Sequence, residues 1–282
     1  MSGYTQGTTI YGLRSQYYEG ICCYGVIITA RCDIAQEKVK ALHVLSAISL
    51  RDWVCTELFD RAFHAYLEND ILGPIKQWSK DNELDFDTLL TFGPNKTMVN
   101  INADTSLKAK NRNKLEKAVS QWEQWNQLSS CCSMDIRIKL LNGDLSSKKK
   151  SLLNELLSGR FPNDFYFLPG SACVPGREYF DGLVVNLRDI IQISLQEIDE
   201  IQKCELDYTA LSKTKSGQER IQYLNKKFFL NCDNDFVDII GYVDSPWIEH
   251  LVQNFSNTFA RIGVNTLPKS KLSDFSDKYQ VF

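Results

Sequence analysis

The chain has 282 residues, enough for one large domain or two small ones. Hydrophobic residues make up 43% and charged residues 24% of the chain, close to the ordinary globular mix, so the composition excludes a disordered or membrane-spanning class. The formal net charge is only −3, and the chain as a whole therefore lacks the excess of positive charge that is typical of nucleic-acid-binding proteins.

The cysteines favour reduced thiols over a disulfide framework. Their number, nine, is odd, and the chain starts with polar residues instead of the basic and then apolar segment of a secretion signal. There is no Cys-x-x-Cys pair, so we predict no metal site, and without a glycine-rich phosphate loop we predict no cofactor. No apolar run approaches the roughly 18 residues of a membrane-spanning helix, and we expect a cytoplasmic protein without a membrane partner.

The first part of the chain, residues 1–50, is predicted to be rich in β-structure. Two apolar runs, ICCYGVIITA and VKALHVLSAIS, are each typical of a buried strand. A polar loop from Cys32 to Lys38 joins them, so the two strands are expected to be neighbours in the sheet.

The pattern becomes helical in residues 51–162, which we interpret as an insertion. Apolar residues recur every three or four positions in CTELFDRAFHAYLENDILGP, where Gly73-Pro74 predicts a helix end. A second helix is predicted in NKLEKAVSQWEQWNQL. A third is predicted in SSKKKSLLNELLSG, whose serines can cap its start and whose Gly159 can end it.

A second β-rich part is predicted over residues 163–243. The segments NDFYFLPG and REYFDGLVVNLRDIIQISL are apolar and are separated by a loop rich in proline and glycine. In the polar stretch Gln196–Arg220 we predict a strand end, followed by a helix from about Gly217 to Phe228.

A closing helix is predicted over residues 246–262. Ser245 can cap it, Pro246 suits the first helical turn, and one apolar face follows before a glycine. Residues 266–282 are polar and are expected to form a loosely attached C-terminal tail.

These elements together predict a single α+β domain over residues 1–265. Strands from the N-terminal and C-terminal parts are expected to share one small β-barrel or sheet. The helical insertion would extend from it, and the C-terminal helix would close it.

Two blocks resemble the early strands of the PemK/Kid/MazF toxin family: GVIITARCDIA at residues 25–35 and HVLSAIS at residues 43–49. This resemblance implies a small PemK-like, SH3-like barrel and RNA cleavage by an arginine with a nearby threonine or serine. Arg14 and Thr29 are the matching residue types, and they are the catalytic candidates that the resemblance implies. The basic, glycine-rich loop of those toxins is replaced here by YGLRSQYYEG.

Widely spaced blocks also resemble a set of bacterial proteins found in mobile or phage-defence gene clusters. The blocks are GVIITARCDIA, FYFLPG, FDGLVVNLRDI and SPWIEHLVQNFSNTFARIGV. The resemblance names no activity. It implies a role in antiviral defence and a partner protein encoded in the same operon.

A second candidate site is a cysteine nucleophile at Cys32. The thiol follows a buried strand and an arginine, His43 on the neighbouring strand can act as its base, and Asp33 can orient the pair. The same residues also fit a simpler interpretation, which we favour. In it, Cys32 is a small buried hydrophobic residue and Asp33 caps its own turn.

Four carboxylates lie close together late in the chain, at Asp233, Asp235, Asp238 and Asp244. Carboxylate oxygens are ligands for Mg²⁺, so the group could hold this ion. The segment CDNDFVDIIGYVD is also typical of a polar turn followed by an amphipathic strand with outward acids, and we favour the turn.

Other residue runs suggest binding but fit ordinary structure better. The run Lys148–Lys150 could contact phosphates, yet it fits a solvated helical turn. Trp122 and Trp125, together with Trp53 and Trp78, could stack on bases, but helical spacing favours core packing.

No catalytic arrangement is favoured over its simpler alternative. The sequence therefore predicts a non-enzymatic interaction or regulatory subunit of a bacterial, phage-defence system, acting through protein–protein contacts. The alternative is a nucleic-acid-binding or RNA-cleaving protein built on a PemK-like barrel.

Overall fold

One antiparallel sheet of six strands organises the computed structural model, which describes residues 3–128, 133–159, 164–173 and 181–260. The strands are β1 (Thr8–Leu13), β2 (Cys23–Ile27), β3 (Ala41–Ser49), β4 (Phe165–Pro169), β5 (Gly182–Ser194) and β6 (Asp238–Tyr242). Their order across the sheet is β4-β5-β3-β2-β1-β6. Strands from the N-terminal and C-terminal parts of the chain thus share one sheet, as predicted for this α+β protein.

The sheet is open. Within the described ranges, β4 and β6 each pair with a strand on one side only, and no closed PemK-like barrel forms. The segments that follow these two edge strands are nevertheless joined, because the backbone N–H of Asp244 donates to the carbonyl oxygen of Ala172 at 3.2 Å.

Helices occupy most of the chain between β3 and β4, and further helices follow β5 and β6. They are α1 (Arg31–Ala35), α2 (Leu50–Trp53), α3 (Phe59–Tyr66), α4 (Gly73–Asp81), α5 (Phe86–Ala103), α6 (Ala109–Leu128), α7 (Met134–Asn142), α8 (Ser146–Leu157), α9 (Gly170–Cys173), α10 (Leu195–Gln202), α11 (Tyr208–Leu211), α12 (Lys215–Leu224) and α13 (Trp247–Ala260). π-Helical turns at Val54–Leu58 and Leu67–Leu72 join α2, α3 and α4 into one continuous helical stretch.

The helix end predicted at Gly73-Pro74 is wrong. The second π-helical turn runs directly into α4, and Pro74 lies in the first turn of that helix. Pro74, which has no N–H to donate, lies at the junction between the π-helical turn and α4. The predicted serine cap of α8 is also wrong, because Leu145 occupies the cap position and Ser146 already lies inside the helix.

The polar stretch after β5 also differs from its prediction. Helix α10 begins directly at the strand end and is capped by Ser194, whose hydroxyl accepts from the N–H of Glu197 at 3.2 Å. Helix α12 starts at Lys215, behind Thr214, which caps it. The predicted helix at 217–228 therefore starts earlier and ends at Leu224.

Two hydrophobic clusters cover the two faces of the sheet. The larger lies between the sheet and the inserted helices, and it includes the buried side chains Ile10, Val44, Ile191, Trp53, Trp78, Trp122 and Trp125. The smaller lies beneath α13 and includes Val26, Leu45, Val185, Ile248 and Leu251. Helix α13 therefore covers part of the second face, whereas the predicted tail lies outside the described residues. None of the described helices combines the length and hydropathy needed to cross a membrane.

Candidate functional site

The two residues matched to the toxin family lie apart. Arg14 follows β1 and Thr29 follows β2, and these antiparallel neighbours end at opposite sides of the sheet. The guanidinium of Arg14 donates to Oδ1 of Asn231 at 2.6 Å, whereas the buried hydroxyl of Thr29 accepts from the N–H of His43 at 2.7 Å. The structure therefore brings no arginine–threonine pair together at this position.

The residues of the proposed cysteine site contact their immediate neighbours. Cys32 lies in α1 and is exposed, with Sγ 3.7 Å from Oδ1 of Asp33, so the interpretation of Cys32 as a buried hydrophobic residue is wrong. His43 is exposed on β3, and its Nε2 lies 3.4 Å from Nε2 of Gln192 on β5. Neither contact joins the thiol to the imidazole.

The late carboxylates lie in and after a polar turn that leads into a strand, as we favoured, with Asp233 and Asp235 before β6 and Asp238 at its start. Oδ2 of Asp235 accepts from the backbone N–H groups of Asn231 and Cys232, at 2.7 and 3.0 Å, and closes the loop before β6. Within the described ranges, no group of three or more His, Cys, Asp or Glu residues is arranged to hold a metal ion. In the lysine run, Lys148 forms an ion pair with Asp70 at 3.1 Å.

A buried polar cluster that sequence reasoning missed lies where β5 bulges. Leu45 of β3 pairs with Ile190 and Ala47 pairs with Val185, so the segment Asn186–Asp189 lies opposite Ser46 alone. Bulges of this kind often adjoin functional sites, because they redirect side chains from the regular alternation of a strand.

The bulge brings polar groups into the core beneath the helices. The hydroxyl of Ser15 donates to Oδ2 of Asp189 at 2.5 Å, and Oδ1 of Asn186 accepts from the backbone N–H of Arg188 at 2.9 Å. Tyr18 lies in the same region. Burial, and then the negative charge of Glu57, raise the pKa of the Tyr18 phenol, which keeps its proton.

The exposure of this cluster decides what it can do. Ser15, Tyr18, Asn186 and Asp189 have exposed fractions of 3%, 4%, 5% and 4%. A substrate cannot reach these side chains unless the covering helices move. The cluster therefore supports the bulge and the sheet, and it does not form an open catalytic site in this conformation.

Val99, the most exposed large apolar side chain among the described residues, lies on α5, and Phe92 on the same helix is also exposed. Leu89, Thr97 and Ile101 of this helix are buried, whereas Phe92 and Val99 are 51% and 66% exposed. The helix is interrupted at Gly93, whose φ of +79° suits glycine. The ammonium of Lys96 lies 4.4 Å from the centre of the Phe92 ring. The outer side of α5 thus presents Phe92, Lys96 and Val99, which we call the α5 outer face.

Comparisons with known proteins assign no family to this chain. No protein-family model, no curated protein and no solved structure matches it. The resemblances to the toxin family and to defence-associated proteins therefore stay predictions.

Proposed function

We propose that the protein is a non-enzymatic interaction or regulatory subunit that binds another protein through the α5 outer face. The observation that carries this proposal is the exposure of Phe92 and Val99 on a helix that already buries a separate apolar stripe in the core. The fold does not need these two side chains for its own packing. Grouped exposed apolar residues are typical of protein–protein contacts.

The side chains of the α5 outer face indicate the chemistry of the surface that would bind it. Burying a phenylalanine or a valine stabilises a complex by about 1.5–3 kcal/mol for each side chain, so the two could anchor an interface of moderate affinity. Lys96 lies between them along the helix and stays exposed. A matching surface would therefore be apolar, with a carboxylate placed to pair with the Lys96 ammonium.

The identity of the partner is a further part of the proposal. The resemblance of several blocks to defence-associated bacterial proteins supports a partner encoded by a neighbouring gene. The separated positions of Arg14 and Thr29, and the closed state of the buried polar cluster, favour binding over catalysis.

The RNA-cleaving alternative is supported by the toxin resemblance alone. Arg14 contacts a loop that carries Asp233 and Asp235, and these carboxylates would repel a phosphate brought to the guanidinium. We expect no cleavage of labelled RNA and no difference between the wild type and the variants Arg14→Ala and Thr29→Ala.

Coexpression tests the proposal. The tagged protein is coexpressed with the products of the neighbouring genes, and the amount of each that copurifies is measured for the wild type and for Phe92→Ser/Val99→Ser. We expect the double variant to lose the neighbour protein. The control Leu157→Ser, which changes a side chain that is 56% exposed on α8, should retain it.

Two results would contradict the proposal. One is a protein that stays alone in all these coexpressions, and the other is a neighbour protein that binds the double variant as well as the wild type. Circular dichroism of the double variant establishes that a loss of binding does not come from unfolding.

A further inference from the structure

Three aromatic rings form a continuous surface on the β1–β2–β6 side of the sheet. Tyr11 and Tyr24 are paired across β1 and β2, and their ring centres are 5.3 Å apart. The ring of Phe236, just before β6, lies 5.4 Å from that of Tyr11. Phe236 is 43% exposed and the two tyrosines are partly exposed, so a ligand can reach the Phe236 ring and part of the surface beside it.

Two carboxylates border these rings. Asp238 is the residue opposite Tyr11 in the β1–β6 pair, and Asp235 immediately precedes Phe236. The pKa of the Tyr11 phenol is raised by its hydrogen bond with Cys22 and by burial, and the negative charge of Asp235 raises it further. We call these five residues, Tyr11, Tyr24, Phe236, Asp235 and Asp238, the aromatic–acidic patch.

No cationic side chain among the described residues pairs with Asp235 or Asp238. Oδ2 of Asp235 accepts backbone N–H groups of its own turn, and Oδ1 of Asp238 accepts from the N–H of Ile239 at 2.7 Å. Among the described residues no hydrogen bond reaches the other oxygen of either carboxylate, so each can accept a donor from outside.

A cation beside the loop that precedes β6, Arg14, is already engaged. Arg14 donates to Asn231 in the same loop, and its guanidinium lies 5.3 Å from the centre of the Phe229 ring. Asp233 is exposed and adds a further negative charge to this loop. The surroundings of the rings are therefore acidic, which disfavours nucleic acid and favours a cation.

Aromatic faces beside unpaired carboxylates are complementary to guanidinium and ammonium groups. A cation is attracted to the negative face of an aromatic ring, and a charge-assisted hydrogen bond to a carboxylate adds to this attraction. Arginine suits such a surface better than lysine, because its planar group stacks on a ring and can donate to a carboxylate at the same time.

We propose that the aromatic–acidic patch binds an arginine-bearing segment of a partner protein. This inference shares with the proposed function only the assumption that the partner is a protein. The aromatic–acidic patch and the α5 outer face lie on different elements of the fold. The two surfaces are expected to act independently.

A peptide titration tests the inference. The probe is a short synthetic peptide in which arginine alternates with glycine, and its binding to the full chain is followed by isothermal titration calorimetry at low salt. We expect binding that weakens with added salt, and that is about tenfold weaker for Phe236→Leu/Asp238→Asn because the ring face and one charge are lost. Leucine keeps the bulk of the side chain and asparagine keeps the acceptor for Ile239, so the fold is retained.

The controls distinguish a specific site from general attraction. Asp87→Asn removes the same charge from an exposed position on α5 and should leave the affinity unchanged. A peptide with glutamine in place of arginine should not bind. Equal weakening by Asp87→Asn, equal binding of the glutamine peptide, or no binding of the arginine peptide would overturn the inference.

The two proposals fail in different ways. Phe92→Ser/Val99→Ser should still bind the arginine peptide with the affinity of the wild type. If that variant keeps its neighbour protein while the peptide result stands, the proposed function fails and the patch remains. If the peptide does not bind but the neighbour protein depends on Phe92 and Val99, only the patch is excluded.

Discussion

The hydroxyl of Ser15 donates a hydrogen bond of 2.5 Å to the carboxylate of Asp189, and both residues are almost completely buried. Ser15 follows β1, whereas Asp189 ends the bulge in β5 on the other side of β2 and β3. This contact therefore connects strands that do not pair with each other. A buried carboxylate needs such a donor, because its desolvation is costly when no partner replaces water.

We expect Ser15→Ala to destabilise the fold by about 2–3 kcal/mol, because it leaves the buried oxygen of Asp189 without its donor. Urea unfolding followed by tryptophan fluorescence gives this value. The control is Ser133→Ala, at an exposed serine that makes no side-chain hydrogen bond at the start of α7, and it should change the free energy of unfolding by less than about 0.5 kcal/mol. Equal effects of the two substitutions would show that the buried contact contributes nothing of its own.

Glu197 makes the stability dependent on pH. Burial alone would raise its pKa, but hydrogen bonds from Ser194 and Lys227 outweigh burial and lower it below the ordinary value of 4.5. The stabilisation of the fold by ionised Glu197 is therefore fully present above that ordinary pKa. This stabilisation is lost as the pH falls through the lower pKa of the folded state.

Glu197→Gln should accordingly remove part of the acid sensitivity of the protein. Glutamine keeps the helix cap but loses the ion pair with the Lys227 ammonium, 2.9 Å away, at a cost of about 2 kcal/mol near neutral pH. Unfolding measured across the acidic range should show this cost shrinking below about pH 4. Glu219→Gln, at an exposed glutamate of α12, should leave the pH profile as it is in the wild type.

Gly12 allows β1 to approach the chain at Phe236. Its φ is +94°, and a methyl group on it would overlap the carbonyl oxygen of Phe236. Gly12→Ala should therefore destabilise the fold by at least about 3 kcal/mol and weaken binding of the arginine peptide. Gly20→Ala is a matched control, because Gly20 also has a positive φ of +75° but has open space around it, so only the backbone cost of about 1–2 kcal/mol is expected. Equal losses for the two variants would mean that the contact with Phe236 is unimportant.

The thiols should differ in their reaction with iodoacetamide. Cys32 and Cys204 are exposed, whereas burial raises the pKa of Cys55 and protects it. Slight burial and the hydrogen bond to Asp235 raise the pKa of Cys232, so this exposed thiol should react more slowly than Cys204. Peptide mapping by mass spectrometry measures these rates. A rate for Cys32 far above that of Cys204 would favour the cysteine-nucleophile hypothesis that the geometry disfavours.

Strands with continuous apolar sequence and the amphipathic strand β6 could be predicted, whereas the short, partly polar strand β1 could not. The runs that became β2 and β3 are rich in valine and isoleucine, and their signal is local. Strand β1, with sequence TTIYGL, is short and partly polar, and its buried position depends on pairing with β2 and β6. The helical continuation through Pro74 was missed because the sequence pattern does not distinguish a proline that ends a helix from one that begins the next turn.

The buried polar cluster, the aromatic–acidic patch and the α5 outer face could not be predicted from the sequence. The Asp189 bulge follows from the register of β3 against β5, and this register joins segments that are far apart in the chain. The contact between Tyr11 and Phe236 depends in the same way on the β1–β6 pair. The exposed side of α5 could not be predicted from the sequence, because apolar residues occur on all sides of this helix. The sequence therefore does not show which of them are buried in the core.

The β3–β5 pair has a consequence for how the protein is made. His43 and Gln192 lie side by side in the sheet although 149 positions separate them in the chain. While a ribosome synthesises the intervening helices, the first three strands have no partner for the outer edge of β3, and the apolar groups there remain open to other nascent chains. The sheet can therefore be completed only after β5 and β6 have been synthesised.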